Sequence, residues 1–142
     1  MEIDILHRDA NNSSMQKQVS ELFNQLDSKL KQLPLQRILE TNNNIVFAIC
    51  REGKTIIGIA AMVTYRVISG HKGMIEDVVV DTSQRGRGIG RKLMEKLLEE
   101  GRKLDLDEVL LFSAHHRTPA INLYTSLGFQ LKDSGLYRLM LD

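Results

Sequence analysis

The sequence predicts a mixed α/β (α+β) domain, and three observations carry that expectation. A β-rich stretch broken by two glycine turns fills the middle of the chain, from Ile45 to Asp81. Apolar residues at helical spacing flank it on both sides. A short apolar strand, Glu108–Ser113, follows the second helical run and is expected to lie parallel to Met74–Asp81 across that crossover.

Each element has a local reason. Met1–Arg8 reads as a first strand, with Ile3 and Ile5 on one face. Asn11–Ser14 is a polar cluster suited to a helix start, and Ser13 with Gln16 fits a capping box. Met15, Val19, Leu22, Phe23, Leu26, Leu30 and Leu33 then repeat at helical spacing until Pro34. Leu35–Glu40 reads as a short second helix and Asn42–Asn44 as a loop. Ile45–Arg51 and Thr55–Val67 are strands joined at Glu52-Gly53-Lys54, and Gly70–Gly73 is a turn into the strand Met74–Asp81. These strands form an antiparallel meander.

After a glycine-rich segment, Gln84–Gly90, an amphipathic helix places Ile89, Leu93, Met94, Leu97, Leu98, Gly101 and Leu104 on one face. Thr118 fits an N-cap with Pro119 at the first helical position, and Gly128 fits a terminator. Phe129–Lys132 and Leu136–Leu141 are expected to close the chain as a hairpin.

Composition narrows the function classes. The chain has 142 residues, enough for one packed core, and is read as one domain, 1–142. No apolar run reaches the length of a membrane span, and the first residues lack the basic start and apolar stretch of a signal peptide. A net charge of +1 gives no bulk attraction to nucleic acid or an acidic membrane. The single cysteine, Cys50, excludes an internal disulfide and reads as a small buried hydrophobe. The expected compartment is the cytoplasm. No metal is expected, since no histidine pair has ligand spacing.

The informative stretch runs from Asp77 through Val78, Val79 and Val80 to Arg85, Gly86, Arg87, Gly88, Ile89 and Gly90, in the order strand, loop, helix. Its glycines let the backbone turn sharply and approach a ligand, and the helix start offers unpaired N–H groups at a positive dipole end. Arg85, Arg87, Arg91 and Lys92 add positive charge. A P-loop is excluded because Lys92 is followed by Leu93, leaving no hydroxyl for magnesium. A dinucleotide fingerprint is excluded because its third glycine would fall at Arg91. No aromatic side chain interleaves with the arginines, as single-stranded nucleic acid would need.

What remains is R-x-x-G-x-G at Arg85, Gly88 and Gly90. It resembles the acetyl-CoA pyrophosphate loop of the GNAT superfamily of N-acetyltransferases. The strand Ile75–Val80 before it and the segment Ala120–Phe129 after it resemble the family's as well, in the same order. The Ile75-Glu-Asp-Val run is similar to that of the family's glucosamine-6-phosphate N-acetyltransferases.

The resemblance implies a GNAT-like fold, with a mixed, mostly antiparallel sheet whose fourth and fifth strands splay apart. It implies that acetyl-CoA lies in the gap, its arm bonded to backbone of Val78 and Val80, with a backbone N–H near Val78 polarising the thioester carbonyl. Residues 78–80 and 85–91, with Asn122 and Tyr124, are then the coenzyme contacts. The asparagine that the family often places three residues before its motif alanine is replaced here by Arg117.

Tyr124 matches the tyrosine that often protonates the departing thiolate. A phenol of pKa about 10 can donate to a thiolate whose thiol has a pKa of about 8.5. Core packing is its other reading. Glu76 is the first choice of general base, with Asp77 beside it, and strand alternation is expected to send the two to opposite faces. His115, His116 and Arg117 follow the next strand, where substrate or coenzyme could be reached; one of the two histidines is the alternative base near neutral pH, and exposed loop positions are their other reading. Arg66, His71 and Lys72 are further cations for a phosphorylated amine. The expected reaction is acetyl transfer from acetyl-CoA to a primary amine of a small molecule or an amino terminus, in an enzyme that resembles homodimeric relatives. The rival class is a non-catalytic module that binds CoA.

Overall fold

The computed structural model describes residues 1–10, 12–114 and 117–141. The chain divides into two compact units, Met1–Phe112 and Ser113–Asp142.

The first unit is built on a five-stranded sheet: β1 (Glu2–Leu6), β2 (Ile45–Glu52), β3 (Thr55–Val67), β4 (Gly70–Val80) and β5 (Glu108–Leu110). The strands lie side by side in chain order, antiparallel from β1 to β4, with β5 parallel to β4. Both faces are covered, which is why β2 and β3 carry nearly unbroken apolar runs rather than alternation. On one face α1 (Ser13–Leu26) and α2 (Leu35–Ile38) bring Leu22 and Leu35 against Phe47, Ile49, Ile59, Ala61 and Val79. On the other lies α3 (Ile89–Lys103), whose Leu93, Met94 and Leu97 are completely buried. Each such side chain is worth about 1.5–3 kcal/mol over leaving it in water. Helix and sheet meet closely at Gly58, where a Cβ would stand 2.9 Å from a methyl of Ile89 and 3.1 Å from one of Leu93.

Several expected boundaries move. The cap of α1 is Asn12, whose Oδ1 accepts from the Met15 N–H at 2.9 Å, in place of the Ser13–Gln16 box. Gln16 instead accepts from the Leu35 N–H and tethers α2. The helix ends at Leu26 although apolar spacing continues to Leu33, because the Asp27 carboxylate takes the Lys29 N–H at 2.9 Å and leaves helical geometry. The turn expected at Gly70–Gly73 lies at Ile68–Ser69, so β4 begins at Gly70. β5 stops at Leu110 instead of continuing to Ser113.

Among the described residues of the second unit there is one helix, α4 (Thr118–Ser126), with Pro119 in its first turn and Gly128 at φ +99° just beyond its end, as expected. Residue 117, not Thr118, occupies the cap position, with no side-chain hydrogen bond. The hairpin expected over Phe129–Leu141 is not formed: no residue from 129 to 141 is in a strand. The segment does not alternate, since Leu136 and Tyr137 are adjacent and Leu139, Met140 and Leu141 are contiguous. A strand pair without a single apolar face has no preferred register.

Candidate active site

β4 and β5 pair only from Lys72–Glu108 to Met74–Leu110, while β4 continues beside β3 to Val80. The β5 side of β4 therefore has no ladder partner from Ile75 onward among the described residues. Asp81 donates its N–H to the Ile57 carbonyl at 2.9 Å, so alternation turns Val79 toward β3 and aims the main-chain groups of Val78 and Val80 into the opening. Val79 instead puts its side chain into the α1-side core.

The loop after β4 is held by Asp81, whose Oδ1 accepts from the Ser83 N–H and hydroxyl, each at 3.0 Å. Gly86 and Gly88 both take left-handed conformations, φ +83° and +74°. A Cβ on either would meet nothing within 4 Å, so these glycines are required by backbone angle, and the space beside them is open. Gly88 is the N-cap residue of α3 and offers no side chain to it. The first N–H groups of a helix have no intrahelical acceptor, and here a positive dipole end faces that open space.

The arginines divide. Arg87 Nη1 reaches Glu52 Oε1 and Gln84 Oε1, both at 2.5 Å, which ties the loop to the β2 end. Arg91 pairs with Glu95 along the helix at 3.8 Å. Arg85 is exposed with no ion pair among the described residues.

Glu76 and Asp77 do not go to opposite faces. Glu76 stands opposite Ala61 and Val79 opposite Ile59, so Asp77 and Val78 together face Ala60 alone. This is a β-bulge, and Asp77 takes the left-handed angle it needs, φ +55°. The bulge inverts the alternation and brings both carboxylates toward the α1 side. Both side chains still meet solvent, yet crowding by protein atoms pushes each carboxyl above the usual range; Asp77's charge lifts Glu76 further.

Asp77 lines a cavity of about 270 Å³ whose other walls come from α1, the connection to α2, β2 and β3. Phe23, Leu33, Ile38, Ile45 and Phe47 belong to it, with Lys31. Sequence reasoning missed this site. Its one available signal was Leu30 and Leu33, apolar residues that stay exposed after the helix has ended.

In the second unit, burial pushes the Tyr124 phenol upward, opposed by the charge of Arg117. Its ring meets Phe129 edge-on, centroids 6.1 Å apart, and its carbonyl accepts from the Phe129 N–H at 3.1 Å. Asn122 and Arg117 are exposed. His115 and His116 lie outside the described residues. Cys50 is fully buried, and burial pushes its thiol up, as expected for a core residue. Among the described residues no cluster of potential metal ligands occurs, and no helix is long and apolar enough to cross a membrane.

Comparison with known proteins matches residues 8–129 to the acetyltransferase (GNAT) family. An IAA acetyltransferase of Azospirillum brasilense is 29% identical over 129 residues, 84% of this chain and 82% of that protein. A mycothiol acetyltransferase of Thermobispora bispora is 34% identical over 86 residues, 58% of this chain, but the match spans only 29% of that longer protein. A crystal structure of a Trypanosoma brucei acetyltransferase superposes with a TM-score of 0.79 at 26% identity, covering 99% of both chains.

Proposed function

The chain belongs to the GNAT family of acetyltransferases, and from that premise we propose that it transfers an acetyl group from acetyl-CoA to a primary amine of a small molecule or an amino terminus. The observation that carries this reading is the uncapped start of α3, with left-handed Gly86 and Gly88 and open space beside them, next to the unpaired edge of β4. The pyrophosphate sits on the first N–H groups of α3, with Arg85 as its free cation. The pantetheine arm pairs with the main chain of Val78 and Val80, extending the sheet where β5 has left it.

The chemistry follows from these positions. A neutral amine nitrogen attacks the thioester carbonyl carbon, and the oxyanion is held by a main-chain N–H near Val78. The intermediate collapses with loss of the C–S bond. The nitrogen's surplus proton leaves to Glu76, directly or through water, and Tyr124 gives a proton to the thiolate. Acetamide and CoA are the products, and no external oxidant or metal enters the balance. A carboxyl with a raised pKa is a better proton acceptor than an ordinary one, which suits Glu76 to that task. In this proposal both units serve one acetyltransferase domain in the cytoplasm.

Release of free CoA thiol from acetyl-CoA in the presence of an amine panel tests the reading. Amine-dependent release is expected. Acetyl-CoA binding with no release from any amine would make the chain a CoA-binding module instead.

A further inference from the structure

The cavity beside Asp77 has a composition unlike that of a sugar site. Its walls are apolar: Phe23, Ile38 and Ile45 are half-buried, Phe47 and Ile59 form the floor, and Leu33 stands at the mouth. Two of its polar residues are already committed. Gln16 accepts from the Leu35 N–H, and Gln32 donates to the Ser20 carbonyl at 3.2 Å and to Asn24 Oδ1 at 2.9 Å. The polar side chains left on its wall are the Asp77 carboxylate and the exposed Lys31. Neither has a hydrogen-bond or ion-pair partner among the described residues.

Position strengthens the case. Asp77 immediately precedes Val78, whose main chain faces the opening between β4 and β5. A cationic amine drawn to that carboxylate would arrive one residue from the place proposed for the thioester. Lys31 is a cation on the cavity wall, but Arg66, His71 and Lys72, three of the cations the sequence offers a phosphorylated amine, lie away from it. Lys72 is paired with Glu108 at 3.1 Å, five residues before Asp77, or about 16 Å along a strand. Arg66 and His71 face each other still nearer the β3–β4 turn.

We propose that this cavity is the acceptor site and that it selects a primary amine carried on an apolar substituent the size of an aromatic ring or a branched alkyl chain, with Asp77 receiving the ammonium. The inference rests on the acetyl-transfer reading above and narrows its substrate. A volume of about 270 Å³ fits that class, since a void of about 150 Å³ lined by apolar side chains already holds benzene. A hydroxylated amine, or a phosphorylated one with Lys31 alone to meet its charge, would lose hydration on entering and leave most of its oxygens facing apolar walls.

The full chain is assayed for CoA release with benzylamine, phenethylamine and isoamylamine against ethanolamine and glucosamine 6-phosphate. The expected result is kcat/KM at least about tenfold higher for the apolar amines, the range over which apolar pockets discriminate. Val19→Phe, which fills the cavity from α1, is expected to lower kcat/KM for phenethylamine by about tenfold or more while leaving the melting shift given by acetyl-CoA unchanged. Should that variant not fold, phenethylamine binding to the wild-type chain, followed by shifts of methyl resonances from Ile38, Ile45 and Leu33, serves in its place. Faster turnover of ethanolamine or glucosamine 6-phosphate would overturn the inference and leave acetyl transfer standing. Release with neither class would overturn both.

Discussion

Asp77 and Tyr124 each concentrate one part of the proposed chemistry in a single side chain. Asp77 occupies a backbone angle that few residues other than glycine, asparagine and aspartate tolerate, and its carboxyl is pushed up by crowding. The folded chain therefore holds that proton more tightly than the unfolded one. Stability contributed by the group is fully present below the unfolded pKa of about 3.9 and is lost as pH rises through the higher folded value. Asp77→Asn keeps the angle and removes the titration. Its melting temperature is expected to exceed that of wild type at pH 7, with the gain vanishing toward pH of about 4; equal melting temperatures across that range would contradict the account. Tyr124→Phe removes one hydroxyl and keeps the ring against Phe129. If that hydroxyl protonates the thiolate, turnover is expected to fall about 10²-fold with little change in acetyl-CoA affinity. An unchanged rate would leave Tyr124 with packing alone.

At the scale of elements, what was legible in the sequence was whatever a period reports. The apolar runs of β2 and β3 and the 3.6-residue stripe of α3 appear where expected. So does the strand–loop–helix around Gly86 and Gly88, because only glycine is at ease at such angles. The bulge in β4 was not legible: an aspartate, not a glycine, supplies its left-handed residue, and nothing in a period of two announces the inversion. The end of α1 was hidden for a related reason. Apolar spacing persists to Leu33 while a local side-chain bond from Asp27 stops the helix. The cavity depends on that early stop, since Lys31, Gln32 and Leu33 line it from a non-helical connection. The segment 129–141 is the other departure. Leu131, Leu136, Tyr137, Leu139 and Leu141 are each more than 60% exposed, and the backbone is free of any strand ladder. Sheet formation by this segment across two copies is the form that the expected homodimer would take. Light scattering is then predicted to return twice the 16.1 kDa chain mass at micromolar concentration, and a monomer would remove the dimer.

For the molecule as a whole, the account turns on a division of labour around β4. One edge of the strand is left open where β5 ends, and it is the edge proposed for the coenzyme. One face, bent by the bulge, puts the Asp77 carboxylate on the wall of an apolar cavity. The glycine loop at its end leads into a helix start with no cap of its own. If the loop were only a turn, none of these features would need to be neighbours. Calorimetric titration of acetyl-CoA into the wild-type chain and into Gly88→Val tests this most directly. A Cβ at Gly88 has room but a forbidding backbone angle, so the substitution distorts the cradle and leaves the buried face of α3 in place. The account predicts one acetyl-CoA per wild-type chain, far weaker binding of ATP and NAD, and loss of acetyl-CoA binding in a Gly88→Val chain that still unfolds cooperatively. Equal acetyl-CoA affinity in the two proteins, or equal affinity of the wild type for all three nucleotides, would contradict it.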